Sequence, residues 1–341
     1  MEKKLHNHSD NSHKKQTARF VEITVSHAGQ RIDNFLMREL KNVPRSYVYR
    51  ILRKGEVRVD KKRVKPPHKL IEGEVVRIPP VFLPEKSDIE RVPDALLKQI
   101  KNAILLEDDD LIFINKPSGL AVHGGTGVRF GLIESFRQIR PDLPFVELVH
   151  RLDKETSGIV MLAKNRATLL ALHDLMKCSQ IEKHYQTLVK GRWQGGRQHI
   201  KNQLKKQRGE NQKMRVMRDD DENAANANNK SKMAESFFSS LQCFSVSSEE
   251  YSLLKVELIT GRMHQIRTQL ANMGFPVLGD TQYGDFAINR AVKKELGLKR
   301  LFLHAYYLKF VLPHNKQAYE LEIPLADDLQ DVIRVLNTGF K

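Results

Sequence analysis

The densest group of reactive side chains is the run His-Arg-Leu-Asp-Lys-Glu-Thr-Ser-Gly at 150–158. It lies between apolar residues 145–149 and a strand-like run at 158–163, so it is expected to be a loop joining two strands. Charged groups gathered where a loop leaves a sheet are held by the scaffold and open to a substrate. A hairpin loop closed by an ordinary salt bridge would also contain Arg-x-Asp, so Asp153 stands here as a candidate only. A second group is Thr-Gly-Arg-Met-His-Gln-Ile-Arg at 260–267, with Thr260 expected to cap a helix that runs to Gly274 and stops before Pro276. His264 and Arg267, three positions apart, would share one face of that helix. Arg267 could neutralise a surface carboxylate, a pair worth about 0–1 kcal/mol. It could instead orient Asp153 in a partly dry site, where an opposite charge favours the ionised carboxylate.

Two further groups are less telling. In Lys183-His184-Tyr185, inside the strand-like run 181–189, alternation puts Lys183 and Tyr185 on one face and His184 on the other. A tyrosine there packs in a core more often than it reacts, but facing a nucleic-acid cleft it could stack under a base. The run Asn-Lys-Pro-Ser-Gly-Leu-Ala-Val-His-Gly-Gly at 115–125 follows a strand, and its glycines allow close backbone approach to a ligand. The glycines at 124–131 fit neither the dinucleotide fingerprint nor the P-loop spacing, which argues against nucleotide binding. The acidic run 108–110 reads as a turn, having no second carboxylate motif to complete a two-metal site. The histidines show no zinc-ligand spacing.

These groups must be positioned by a mixed domain. Strand-like runs at 111–115, 158–163, 181–189, 251–259 and 301–310 alternate with helical patterns from about residue 101 onward. The excursion at 201–236 is polar, acidic at 219–222 and Asn/Ala-rich at 223–229, and is expected to end in a mobile surface loop. Residues 81–100, with their clustered prolines, read as a linker. Before the linker, 20–80 form a separate module: a strand, a helix carrying Ile32, Phe35, Leu36 and Leu40, and a second helix after Pro44 stopped by Gly55. A small β-element ending at Pro79 and Pro80 closes it. Arg31, Arg45, Arg50, Arg53 and Lys54 of this module are candidate phosphate contacts, although a solvated helix face would carry the same charges. Residues 1–19, dense in Lys, His, Asn and Ser, read as a disordered basic tail without the apolar stretch of a signal peptide.

The chain has 341 residues, room for one catalytic domain and something small. A formal net charge of +16 favours a polyanionic partner, nucleic acid above others. Only Cys178 and Cys243 are present, which fits a reducing cytoplasm and excludes a disulfide framework. No apolar run is long enough to span a membrane.

The landmarks Gly-Gln-Arg-Ile-Asp-Asn-Phe-Leu (29–36), Pro-Arg-Ser (44–46), Gly-Glu-Val-Arg-Val (55–59) and Glu-Gly-Glu-Val-Val (72–76) resemble the αL RNA-binding module. That module is shared by a small-subunit ribosomal protein, some tyrosyl-tRNA synthetases and many pseudouridine synthases. Lys-Pro-Ser-Gly-Leu-Ala-Val, the 150–158 run and the 260–267 run, in that order, resemble the RluA family of pseudouridine synthases. Ala-Val-His-Gly-Gly at 121–125 and Arg-Leu-Phe-Leu-His-Ala at 300–305 extend the likeness to its members that modify 23S rRNA of the large ribosomal subunit. The likeness runs from about residue 20 and breaks down in the tail and in 201–236.

The resemblance implies an α+β fold: a mixed, largely antiparallel central sheet with flanking helices at 101–341, plus the small N-terminal domain. It implies Asp153 as the covalent catalyst, Tyr185 as the active-site tyrosine and Arg267 as the partner of the aspartate. Arg151 would fill the space left by a flipped base, and His150, Lys116, His123, Gly124, Arg262 and His264 are expected to contact substrate. The reaction breaks the bond from ribose to uracil N1 and rejoins the sugar through C5, so no cofactor or metal is expected. Asp153 attacking the sugar, Asp153 attacking the ring, and an elimination at the sugar are all routes that fit these residues. Tyr185 is the nearest named base for the C5 proton, and a phenol of ordinary pKa near 10 is a poor one. The expected partner is 23S rRNA, with the chain acting as a monomer.

Overall fold

The computed structural model describes residues 18–40, 43, 45–80, 92–125, 128–206, 213–217, 231–246 and 249–338. The chain divides into two compact units, Met1–Arg91 and Val92–Lys341. In the first, strands β1 (Arg19–Glu22), β2 (Arg58–Val59), β3 (Lys62–Arg63) and β4 (Val75–Ile78) form an antiparallel sheet in the order β1-β4-β2-β3. Helices α1 (Ile32–Glu39) and α2 (Arg45–Lys54) lie between β1 and β2 in the chain. Ile32, Phe35 and Leu36 of α1 and Val48, Ile51 and Leu52 of α2 share one buried cluster with Val57, Val76 and Ile78. Their helical spacing brings them to one face of each helix and leaves Arg50, Arg53 and Lys54 outside it. Within this core Asp33 is buried, satisfied by a two-pronged bond from Arg31 (3.1 and 2.7 Å) and by the Tyr49 hydroxyl (2.9 Å).

The second unit is built on an eleven-stranded sheet, counted among the described residues. Its strands are β5 (Ile104–Glu107), β6 (Leu111–Lys116), β7 (Glu147–Leu148), β8 (Ser157–Ala163), β9 (Glu182–Lys190), β10 (Gln198–Lys206), β11 (Met214–Val216), β12 (Lys232–Val246), β13 (Glu249–Leu258), β14 (Leu303–Val311) and β15 (Ala318–Glu322). The order is β11-β10-β12-β13-β9-β14-β8-β6-β5, with β15 on β14 and β7 on β8. Among the described residues only the β14–β8 pairing is parallel, so the sheet is mixed and largely antiparallel. Helices α3 (Asp94–Asn102), α4 (Leu132–Ile139), α5 (Arg166–Lys177), α6 (Gln265–Asn272), α7 (Phe286–Glu295) and α8 (Asp327–Thr338) complete the unit. Ile112, Ile114, Val160 and Leu162 pack into one core while Leu111, Phe113, Ile159 and Met161 pack into another. Strands β6 and β8 are therefore buried on both faces, which is why they read as unbroken apolar runs.

One expectation is corrected here. Part of the expected linker, 81–100, is helix: α3 buries Ile100 completely and packs Leu96 against the same core. Leu96 and Ile100 are one turn apart, a helical signal outweighed in the sequence by the prolines before it. Residues 81–91 lie outside the described residues, as do 1–17 of the expected tail; Arg19 belongs to β1. Much of the 201–236 excursion is sheet, with β10 and β12 paired from Gln198↔Phe238 to Leu204↔Lys232. Ala234, Ser236 and Phe238 are buried and their neighbours are not, the alternation of a strand with one buried face. The acidic and Asn/Ala-rich tip, 218–230, lies outside the described residues.

Candidate active site

Residues 149–156 form the loop between β7 and β8. Leu152 is its anchor, buried in the larger core, and it is flanked by exposed Arg151 and by Asp153, whose side chain is 27% exposed. One buried and two outward neighbours make a loop that is fixed yet presents a carboxylate. A second loop staples it: the Gly119 amide donates to the Lys154 carbonyl (2.9 Å) and the Ser118 hydroxyl to the Glu155 carbonyl (2.7 Å). At the far end Gly158 has φ +115°, and a Cβ there would meet the Ala305 carbonyl oxygen at 2.1 Å. Only glycine lets β8 lie against β14 at that point.

Asp153 is held from α6. Arg267 Nη1 donates to Asp153 Oδ2 at 3.1 Å, while its Nε and Nη2 donate to the two oxygens of Asp280 at 2.7 and 2.8 Å. The Asp280 side chain is fully buried and also accepts from the amides of Gln282 (2.9 Å) and Tyr283 (3.0 Å). Burial alone would push the Asp280 carboxyl up, but the bonds and charge of Arg267 outweigh it and hold it below the ordinary carboxylate value. Arg267 is thus pinned by one carboxylate and turned toward another. The ring of Tyr283 lies 5.0 Å below its guanidinium. His264, on the same side, sits 3.8 Å from Asp153 Oδ2 through Nε2 and hydrogen-bonds the Tyr283 hydroxyl through Nδ1 at 2.8 Å.

Tyr185 lies in β9 with its ring in the core beside Val160, Leu254 and Val256. Burial pushes its phenol up, and the Asp153 charge adds to the shift, so the group stays protonated. That weakens Tyr185 as a base and leaves it as a wall and a neutral hydroxyl. Its neighbour His184 faces elsewhere and stacks on Tyr307 with ring centres 4.7 Å apart.

The expected substrate contacts separate into two kinds. Lys116 is a correction: it is 0% exposed, and its Nζ donates to the carbonyls of Pro117 (2.9 Å), Leu120 (2.8 Å) and Lys154 (3.1 Å). It ties the two loops together and cannot reach RNA. His150 spends Nε2 on the Met161 amide (3.2 Å), and burial, helped by Lys183, pushes it down to about 3, so it is neutral. Arg151 is exposed and has no hydrogen-bonding partner among the described residues. Gly124 donates its amide to Glu134 (3.0 Å), His123 lies 3.9 Å from the same carboxylate, and Arg262 donates to the Met233 carbonyl (2.9 Å). Thr260 does not cap α6, whose N-cap is His264; Thr260 instead accepts from the Glu235 amide (2.8 Å). In the first unit, Arg50 lies over the Tyr47 ring at 4.5 Å, Lys54 is 3.8 Å from Glu56, and the Arg45 side chain is outside the described residues.

Asp280 and Tyr283 are the residues that the sequence reading missed. Gly279 and Gly284 flank them in a polar turn, the one signal that could have drawn attention to them. Gly279 has φ +76°, and a Cβ there would meet the Arg300 carbonyl oxygen at 2.0 Å.

Residues 110–272 match the family described as RNA pseudouridylate synthase, and residues 30–76 match the S4 domain. The chain is 42% identical over 322 residues to the ribosomal large subunit pseudouridine synthase C of Vibrio vulnificus, covering 94% of this chain and 96% of that protein. It is 41% identical over 329 residues to the protein of the same name from Escherichia coli K12, covering 95% and 98%. The solved structure of human RNA Pseudouridylate Synthase Domain Containing 4 superposes with a TM-score of 0.56 at 24% identity, covering 72% of this chain and 96% of that one. Human RNA Pseudouridylate Synthase Domain Containing 1 gives 0.52 at 21%, covering 74% and 98%. At those identities the human structures speak to the fold.

Proposed function

The chain belongs to the RNA pseudouridylate synthases, and from that premise we propose that it isomerises selected uridines of 23S rRNA to pseudouridine, with Asp153 as the covalent catalyst. The observation that carries this reading is the chain of contacts from buried Asp280 through Arg267 to a partly exposed Asp153. A carboxylate is already ionised at neutral pH, so what it needs from the protein is orientation and shielding more than activation. Arg267 supplies the first, and the apolar wall at Tyr185 and Leu152 contributes to the second.

In the reaction the bond from ribose C1′ to N1 breaks and one from C1′ to C5 forms. N1 gains a proton and C5 loses one, so the product has the mass of the substrate. A target base in folded RNA must first be flipped out, at a cost of a few kcal/mol. Exposed Arg151, beside Asp153, is suited to fill the vacated stack. Tyr185 serves as a neutral hydroxyl beside the ring, in keeping with its raised pKa. Residues 20–80 hold the RNA through Arg31, Arg45, Arg50, Arg53 and Lys54, with the catalytic domain following the linker. The enzyme works in the cytoplasm as a monomer. Among the described residues no helix is long and apolar enough to cross a membrane.

The test is carbodiimide mapping of unmodified 23S rRNA after incubation with the wild type or with Asp153→Asn. New reverse-transcription stops at a few defined uridines, with the wild type only, are expected. Stops that the variant produces equally well would remove Asp153 from the chemistry.

A further inference from the structure

The mechanism above leaves His264 and Tyr283 without a task, and their geometry supplies one. His264 has φ +53°, in the left-handed region, which a residue with a Cβ adopts only under strain. Strain of that kind persists only where the surroundings enforce it, and it gathers at functional sites. Tyr283 is what surrounds it. The Met214 amide of β11 donates to the Tyr283 hydroxyl at 2.7 Å, and the same hydroxyl meets His264 Nδ1 at 2.8 Å. The two rings are edge to face, with centres 5.5 Å apart.

A phenol has one proton to give. With the Met214 amide donating to its oxygen, giving that proton to His264 Nδ1 leaves every one of these groups paired. The alternative, Nδ1–H donating to Tyr283, turns the phenolic proton toward Thr268 and leaves Nε2 as a bare lone pair 3.8 Å from the Asp153 carboxylate, an unfavourable approach. Burial also keeps His264 below its ordinary value, so the neutral ring is the form to consider, although Asp153 opposes the shift.

We infer that Tyr283 is a positioning residue that selects the Nε2–H tautomer of His264, so that the imidazole presents a donor to Asp153, and that β11 of the 201–236 excursion locks this arrangement by docking its Met214 amide on the same hydroxyl. The active site is thereby completed by a strand from a segment with no catalytic residue of its own. This inference rests on the role proposed for Asp153.

The test is nitrogen-15 NMR of histidine-labelled full-length protein, in which the two ring nitrogens report the tautomer directly; His264 is assigned by its loss in His264→Gln. The wild type is expected to show Nε2–H, and Tyr283→Phe, which keeps the ring under Arg267, a mixed or Nδ1–H state. Turnover at saturating RNA should fall about three- to tenfold in Tyr283→Phe with KM little changed, the worth of one positioned hydrogen bond. Glutamine at 264 offers its amide N–H near the Nε2 position and has no tautomer to choose. Adding Tyr283→Phe to His264→Gln should therefore cost nothing further. An unchanged tautomer in Tyr283→Phe, or the same loss of turnover in the His264→Gln background, would overturn the inference. Because the NMR reading needs no turnover, inactivity of the wild type would count against the proposed function and leave the tautomer result legible.

Discussion

Replacing Asp280 by leucine removes the buried anchor of the site and should expose how much Arg267 depends on it. Arg267 is 7% exposed, and two of its three short contacts to carboxylates go to Asp280. Without them the guanidinium keeps Asp153, a long bond to Gln282 (3.4 Å) and the Tyr283 ring, and it loses its one fully buried carboxylate partner. Breaking a buried ion pair by deleting one partner costs about 3–5 kcal/mol, because the surviving charge is uncompensated. Replacing both partners by apolar groups of similar size is often neutral. The double variant Arg267→Met/Asp280→Leu should therefore recover most of the stability lost in Asp280→Leu. Asp153 tolerates this because its side chain is 27% exposed and water can solvate it. Activity should not recover, since Asp153 then lacks the hydrogen bond and charge of Arg267. The single tryptophan, Trp193, is 5% exposed in the core of the second unit, so its fluorescence in urea follows the unit that holds the site. A loss below about 1 kcal/mol in Asp280→Leu, the range of an exposed pair, would refute the reasoning, as would a double variant no more stable than the single.

Three other outcomes follow from the same contacts. Gly158→Ala places a Cβ on the Ala305 carbonyl in a left-handed backbone and should cost more than about 2 kcal/mol in the same urea assay; a wild-type midpoint would contradict the close β8–β14 approach. Burial pushes the Lys116 amine down to about 7, below its unfolded value of 10.5, so the unfolded chain binds the extra proton between those values. Its charge penalty is present below pH 7 and is relieved as pH rises toward 10.5; wild-type stability should gain on Lys116→Met across that window, and parallel pH profiles would show that Lys116 does not titrate there. Changing Arg50, Arg53 and Lys54 together to Gln should weaken RNA binding and flatten the slope of log K against log salt by about 2–3. Turnover at saturating RNA should be unchanged, and an unaltered salt slope would take these residues out of the interface.

The sequence spoke most clearly where chemistry and regular structure coincide. The 150–158 loop was visible because apolar strands flank it, and Arg267 because it lies on a short helix one turn past His264. Asp280 was not visible: it is thirteen residues beyond Arg267, in a turn with no period, and only folding makes them a pair. Lys116 misled for the opposite reason. A lysine beside a proline and glycines looks like a phosphate contact, and lysine is seldom fully buried. Three backbone carbonyls converge on it here, an arrangement no local pattern encodes. Thr260 misled because its residue type suits a helix cap, while the helix begins after a strained histidine that propensity would not nominate.

The most direct test of Asp153 as the catalyst is tritium release from C5-labelled uridine in unmodified 23S rRNA, with a chelator present, for the wild type and Asp153→Asn. The wild type is predicted to release tritium, and the variant to release none while binding the RNA with nearly the same affinity. Release by Asp153→Asn at the wild-type rate would contradict the central role of that carboxylate.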